Sequence, residues 1–346
     1  LPEAAAAADA AALAALIELG EGYGAGSAMT PADIDAAARQ AAVAAAAANR
    51  AAGRDTVYAD PNRDVRLGQY VWNSNTGSYD KLWGQSPYNL VEVTLHRDQA
   101  GSSNGDDPLT LFFAGILGSR EANIATLSST ALVPGNGVYI VPGSGATADV
   151  LPIALDVGTW NDFIANGGPD QYHFNAASGS VSSGSDGIGE INIYPTGSQS
   201  LPPGNRGTVD FGSSNNSTAD ISRQILHGLN ENDLSYFGGK LSFENGPLLI
   251  NGDTGISAGI KDELEAIKGR PRLMPLFSSV SGPGNNAMYT IVKFVGVRIM
   301  YVKLTGKPTS KVVIVQPAPF ISDVVIPAPT APITSDSYLT TGGLIR

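Results

Sequence analysis

Residues 4–20 read AAAAADAAALAALIELG. Alanine loses no side-chain rotamer freedom in a helix, so the run predicts a helix from Ala4 to Leu19 that stops at Gly20. The same methyl groups bury little area, at roughly 25 cal/mol per Å² removed from water. Such a helix gains little by docking alone, and its small side chains suit close approach to other helices. The expectation is a helix largely covered by another chain, or the lower end of an apolar segment that begins upstream of Leu1. Asp9 should then face a polar partner or solvent.

A second helix starts within TPADIDAAARQAAVAAAAANRAAG, residues 30–53. Thr30 is placed to cap, Pro31 fits the first helical position, Asp33 lies at the positive end of the dipole, and Gly53 ends the run. After Arg54 the composition turns to strand. DVRLGQYVWNSNTGSYDKL (64–82) reads as two strands about a turn at Asn75–Gly77. In YNLVEVTLHRD (88–98), Leu90, Val91, Val93 and Leu95 alternate with Asn89, Glu92, Thr94 and His96, a half-buried strand broken only at Leu90–Val91. LTLFFAGILG (109–118) fits a strand or a short helix, and ANIATLSSTALV (122–133) reads as a strand.

The second half repeats this texture. Short strands are expected in GVYIVPG, DVLPIALD, GEINIYP and RGTVDFG, and long ones in MYTIVKFVGVRIMYVKLTG (288–306) and SKVVIVQPA (310–318). Two helices interrupt them: STADISRQILHGL (217–229), with Ser217 and Asp220 at its cap, and SAGIKDELEAIKG (257–269), with Ser257 capping and Ile260, Leu264 and Ile267 inward. From Pro317 to Pro332 prolines recur, which predicts an extended arm detached from the compact body and free to reach a neighbour.

The fold class expected is α+β, with alanine-rich helices before a β-rich body holding a few short helices. Four regions are expected: a helical segment at 1–54, a β-rich module at 55–132, a second with two helices at 133–316, and a proline-rich tail at 317–346.

Composition narrows the chemistry. The chain has 346 residues, 42% hydrophobic and 15% charged, with 41 glycines and 22 prolines. That is a packed, turn-rich protein rather than a solvated chain. A net charge of −11 argues against nucleic acid and anionic membrane surfaces and suits an exported protein. Without cysteine there are no disulfides, zinc–thiolate sites or cysteine nucleophiles. No apolar run of about eighteen residues spans a bilayer, so membrane attachment is expected only through a segment upstream of Leu1.

GISAG, residues 255–259, fits the G-x-S-x-G nucleophile elbow between a strand and a helix. A catalytic serine needs a histidine to take its proton, and in the order of that fold the histidine follows the serine. His96, His173 and His227 all precede Ser257, so Ser257 reads better as a helix cap. GSGATA (143–148) resembles a dinucleotide loop but leads into a strand-like segment containing Pro152, whereas a phosphate loop needs a helix N-terminus. DQAGSSNGDD (98–107) offers Asp98, Asn104, Asp106 and Asp107 as calcium candidates without the alternation or terminal glutamate of an EF-hand, so a solvated hairpin loop is favoured. Asp60, Asp64, Asp186 and Glu190 are weaker metal candidates. His96 reads as a surface residue and His227 as a helix-end charge. Trp72, Trp83 and Trp160 are the aromatic residues available for binding a glycan, although a single tryptophan is commonly core or rim. No catalytic residue and no cofactor is expected.

The N-terminal run resembles the segment following the membrane helix in TadE/TadG-like proteins of tight-adherence (Flp) pilus assembly. AADAAALA (7–14) matches that segment, and AAAAANRAAG (44–53) resembles the family's second helix end. VRLGQYVWNSNTGSYDKL (65–82), YNLVEVTLHRD (88–98) and LTLFFAGILGSREANIATLSSTAL (109–132) follow in the family's order. Residues 150–320 resemble the long C-terminal part of larger members. The resemblance implies a non-enzymatic structural protein of the bacterial cell surface, with no active-site residues. It implies a pilus subunit or pilus-assembly component whose partners are copies of itself, as a filament, or other pilus subunits. The rival readings are a surface adhesin for a glycan or host protein, and a hydrolase using Ser257.

Overall fold

The computed structural model describes residues 2–51, 53–111, 120–194, 206–212, 217–253, 256–282, 286–307, 310–328 and 330–345. The N-terminal helices are α1 (Pro2–Glu21) and α2 (Pro31–Ala47). Thr30 and Asp33 form the expected capping box: the Asp33 amide donates to Thr30 Oγ1 at 3.2 Å, and the Thr30 amide donates to Asp33 Oδ2 at 3.0 Å.

The strands that follow are β1 (Val65–Asn73), β2 (Ser78–Trp83), β3 (Leu90–Arg97), β4 (Leu109–Thr110), β5 (Glu121–Ala122) and β6 (Ile124–Tyr139). Then come β7 (Ile153–Asp156), α3 (Val157–Asn166), β8 (Tyr172–Asn175), β9 (Ser180–Ser183), β10 (Ile191–Asn192) and β11 (Arg206–Val209). Next are α4 (Thr218–His227), α5 (Glu231–Ser235), β12 (Lys240–Ser242), β13 (Leu248–Asp253), α6 (Lys261–Ala266) and β14 (Pro271–Ser281). β15 (Ala287–Lys303), β16 (Val312–Pro317), β17 (Val325–Pro327) and β18 (Leu339–Leu344) complete the chain. The α+β expectation holds. The strand β14, the helices α3 and α5 and the β8–β9 hairpin were not anticipated. Residues 112–118 of the ambiguous apolar run lie outside the described residues.

Two sheets carry the molecule. The first runs β12-β6-β3-β1-β2, with β17 and β18 also on β6. The second contains a closed ring. β15 pairs with β13, β13 with β11, β11 with β7, β7 with β14, and β14 with β15 again. Only the β7–β14 contact is parallel. β15 is long enough to serve two neighbours on one side: residues 287–291 pair with β13, and residues 297–303 with β16. Strand periodicity separates two cores in this half. Ile153, Leu155, Met274 and Leu276 pack with Trp160, Ile225 and Leu264 of the helices. Ala154, Leu273, Phe277 and Tyr289 point the other way, into a second core.

The first helix is where it was expected, but its own chain covers it. Ala7, Ala8, Ala11, Ala12, Ala15, Leu16 and Leu19 are fully buried with Ala38, Ala42 and Ala46 of α2 and with Val65, Leu67, Val91 and Val93 of the first sheet. The helix does not stop at Gly20. A Cβ there would meet Ile321 Cδ1 at 1.8 Å, so Gly20 makes room for that side chain rather than ending the helix.

Ile321 belongs to the C-terminal stretch, and the expectation of a detached arm is not met. Val325 pairs with Val138, Leu339 with Pro134 and Thr340 with Val133. Phe320, Val325, Tyr338 and Leu339 are each at most 5% exposed. Asp336 is held by Lys293 and by Trp160 Nε1, the latter at 3.3 Å. A Cβ at Gly135 would lie 2.2 Å from the Tyr338 ring, so the body is shaped to seat the arm. The apolar residues between and beyond the prolines bury the surface that docks it.

The packing of α1 leaves no room for added volume on its inner face. Ala12→Leu is expected to destabilise the fold by about 1–3 kcal/mol. Ala6→Leu, on the exposed face, is expected to change stability by less than about 0.5 kcal/mol. Urea unfolding of the two variants checks this, and equal effects would contradict the packing described.

Candidate aromatic binding cleft

The β1–β2 hairpin turns at Asn73–Ser78. There Gly77, at φ +64°, donates to the Asn73 carbonyl at 2.9 Å. Its register pairs Trp72 with Tyr79, Tyr70 with Lys81 and Gly68 with Trp83. Period-2 alternation therefore puts Arg66, Tyr70, Trp72, Tyr79, Lys81 and Trp83 on one face. The helices cover the opposite face, through Val65, Leu67, Val91 and Val93.

The aromatic face has two ends. At one, the Tyr70 and Tyr79 rings stack with centroids 4.1 Å apart and planes 5° from parallel. Trp72 meets Tyr79 edge-on at 5.2 Å. At the other, the Arg66 guanidinium lies 4.2 Å over Trp83. Glu92, only 7% exposed, takes Arg66 at 3.2 Å, Lys81 at 3.7 Å and the Ser129 hydroxyl at 2.9 Å. The charges of this end are thus partly spent on one another.

The Tyr70–Trp72 end opens into a cleft of about 380 Å³. Tyr23, Tyr70, Trp72, Tyr79 and Pro87 line it, and Thr330, Ala331, Pro332 and Ile333 of the C-terminal segment form one wall. Asn89 fixes its floor: Oδ1 accepts from the Tyr70 amide at 2.8 Å, and Nδ2 donates to the carbonyls of Tyr70 and Leu132 at 3.2 and 3.1 Å. A neighbouring cleft of about 360 Å³ shares Tyr23, Pro87 and Ile333. No residue lining the larger cleft is charged. Burial pushes the phenols of Tyr23 and Tyr70 above their usual range; Tyr79 rises for the same reason, and further because of Tyr70. The rings therefore stay neutral at physiological pH. Such a surface recognises uncharged, ring-bearing or apolar groups and repels nothing by charge.

Of the tryptophans, Trp72 lines this cleft, Trp83 is capped by Arg66, and Trp160 is core at 1% exposure, packed on Phe163. The tyrosines were overlooked in the sequence. The signal available was the diagonal placement of Tyr70, Trp72 and Tyr79 across a hairpin whose turn was legible.

The other candidate residues have structural tasks. Ser257 caps a 3₁₀ turn at Ala258–Ile260, accepting from the Gly259 amide at 3.2 Å. Gly255 lies outside the described residues. His96 sits between Asp64 at 3.7 Å and Asp98 at 3.1 Å. His173 contacts the Ser185 carbonyl at 3.3 Å, and His227 is exposed in the last turn of α4. In the 143–148 loop the Gly143 amide donates to Glu231 at 2.9 Å, and Ala148 bridges to Leu229 with no helix beginning there.

The calcium candidates do not converge. Asp106, 1% exposed, binds Arg63 at 2.8 Å and the Ser102 hydroxyl. Asp107 binds Arg54 at 2.7 Å, Asp98 binds His96, and the Asn104 amide donates to Ser102 at 3.2 Å. Asp64 binds Arg63, and Asp60 accepts from the amides of Asn62 and Arg63. Asp186 accepts from the Phe174 amide and Gln316, while Glu190 takes the amides of Gln171 and Tyr172. Among the described residues no group of three or more histidine, aspartate or glutamate side chains is placed to hold a metal ion.

Comparison with known families bears on the whole region around the cleft. Residues 23–131 match the Tad-like Flp pilus-assembly family. The match begins at Tyr23 in the cleft and spans α2, β1, β2, β3 and the first half of β6, in agreement with the TadE/TadG-like resemblance of the sequence. No curated protein and no solved structure matches the chain. The Tad-like match supports a role in pilus assembly. Among the described residues no helix is long and apolar enough to cross a membrane.

Arg63 is the pivot of the charges beneath the first sheet, since it faces both Asp64 and Asp106, whose side chains are 0% and 1% exposed. Burial works against the charge of Asp98 and Asp106. Hydrogen bonds from Gln99 and His96 to the first, and from Ser102 and Arg63 to the second, outweigh it and lower both pKa values. Their contribution to stability is complete above the ordinary value near 3.8 and is lost as pH falls through the lowered folded values. Arg63→Ala strands two buried carboxylates and is expected to cost about 3 kcal/mol at pH 7. The deficit should shrink as pH falls toward 4, because Asp106, no longer held down by Arg63, then protonates. Urea midpoints measured between pH 4 and 7 check both the size and the sign.

Proposed function

We propose that this chain is a non-enzymatic structural component of an Flp-type pilus-assembly apparatus, exported to the cell envelope and associating with copies of itself. The observation that carries this reading is the family match over residues 23–131, which coincides with one continuous piece of architecture: α2 and the central strands of the first sheet. In this reading the ring-containing half, centred on residues 133–316, is an appended module, and residues 317–345 tie the two together.

Two features first suggested a filament: an alanine helix seeking a partner and a free C-terminal arm. Both are satisfied within the chain, so self-association is assigned to an uncharged surface of the described residues, the aromatic cleft. An adhesin reading draws on the same cleft and is separated from self-association by the ligands it would take.

Two measurements test the proposal. Deleting the gene should abolish or sharply reduce Flp-type pili, and the protein should fractionate with the envelope; normal piliation would defeat the assembly role. Ser257→Ala should lower stability by about 1 kcal/mol through loss of a cap and do nothing else specific. Labelling of Ser257 by a fluorophosphonate would instead establish a serine nucleophile.

A further inference from the structure

We propose that the aromatic cleft takes the exposed Thr330–Pro332 segment of a second copy of this chain, so that two copies close as a two-fold dimer. The inference rests on the self-association proposed above but not on the pilus assignment.

Charge limits where copies can meet. Each copy carries a net charge of −11, so two copies repel unless they meet over an uncharged surface. The cleft lining is such a surface, with tyrosine, tryptophan, proline and aliphatic side chains and no charged group.

The occupant comes from the turn beside the cleft. Its sequence is Pro-Ala-Pro-Thr-Ala-Pro. It is anchored by the Ala328 amide donating to the Pro134 carbonyl at 2.7 Å and closed by the Ala331 amide donating to Ala328 at 3.0 Å. Thr330, Ala331 and Pro332 are all exposed. Proline has a fixed φ and little freedom to lose on binding. Its flat, apolar ring suits the face of a tyrosine or tryptophan, as in the aromatic grooves that take proline-rich peptides.

Geometry then sets the symmetry. The turn forms one wall of the cleft on its own copy, so donor and acceptor lie side by side on one patch. Two copies related by a two-fold axis through that patch each place their turn in the other's cleft. That is the isologous arrangement, which closes at two copies instead of extending into a fibre.

The test is sedimentation equilibrium of the full chain across a concentration series. The expected result is a monomer–dimer equilibrium. Trp72→Ala, in the cleft, and Ala331→Glu, on the turn, should each weaken it by at least about tenfold, the scale of losing a central anchor. Both positions are on the surface side of the fold, and an unchanged urea midpoint confirms that each variant is folded. A peptide of residues 325–335 should dissociate the wild-type dimer, and calorimetry should detect its binding to wild type but not to Trp72→Ala. If an oligomer persists in both variants, self-association stands and this interface is wrong. If the chain is monomeric at every concentration and the peptide does not bind, both fail. Binding of neutral oligosaccharides in place of the peptide would overturn the proposal in favour of a glycan-binding surface.

Discussion

The main-chain pairing of one strand, β6, holds the molecule together. Its sixteen residues, Ile124–Tyr139, pair with β3 over residues 124–131, with β18 over 130–134, with β17 over 135–138 and with β12 over 137–139. Segments from residue 90 to residue 344 thus share one template. Buried backbone groups must be bonded somewhere, and the middle of β6, residues 128–133, is almost wholly buried. Its carbonyls and amides are satisfied only when the last strand has arrived. Such long-range pairing makes folding slow and cooperative, because loop closure comes before the contacts that reward it.

That dependence explains why the N-terminal helices and the C-terminal segment meet. α1 lies on β3 and β6, and its Gly20 leaves room for Ile321. Tyr338 and Val325 reach the core beside the ring, while Leu339 lies in the helix-covered core. One short stretch therefore closes two cores. The Lys293 and Trp160 contacts to Asp336 fasten it to the second half. Burial opposes the charge of Asp336, but hydrogen bonding to Lys293 and Thr334 more than compensates, and its pKa is lowered.

Much of this was legible where the governing signal is local. Thr30, Pro31 and Asp33 start α2 by cap chemistry, Ser217 starts α4, and alternation marks β3. What was not legible depends on distant partners. Gly20 reads as a helix stop until Ile321 is beside it. Glu92 and Asn89 fall on the polar phase of their strand, yet both are buried. Glu92 is covered by Arg66, Lys81 and Ser129, and Asn89 is consumed by the backbone of β1 and β6. His96, on that same phase, is drawn between two aspartates. The prolines after residue 316 read as a detached arm because composition weighs residues without their positions; the four residues that anchor it are apolar, Phe320 and Val325 between prolines and Tyr338 and Leu339 beyond the last one.

The cleft illustrates the same limit from the functional side. Tyr23 follows α1, Tyr70, Trp72 and Tyr79 lie on the first hairpin, and Thr330–Ile333 come from near the C-terminus. No spacing rule joins residues 23 and 333. The hairpin supplies two of the aromatic walls through its register, which is local, and β6 supplies the third side by holding the C-terminal segment against Pro134. The uncharged character of the site follows from this assembly. Arg66 and Lys81, which share the aromatic face, are drawn to Glu92 at its far end. Pairing with a buried carboxylate fixes the cations there, away from the Tyr70–Trp72 end. The acidic chain thereby keeps a neutral aromatic surface, beside the same turn that the central strand holds in place.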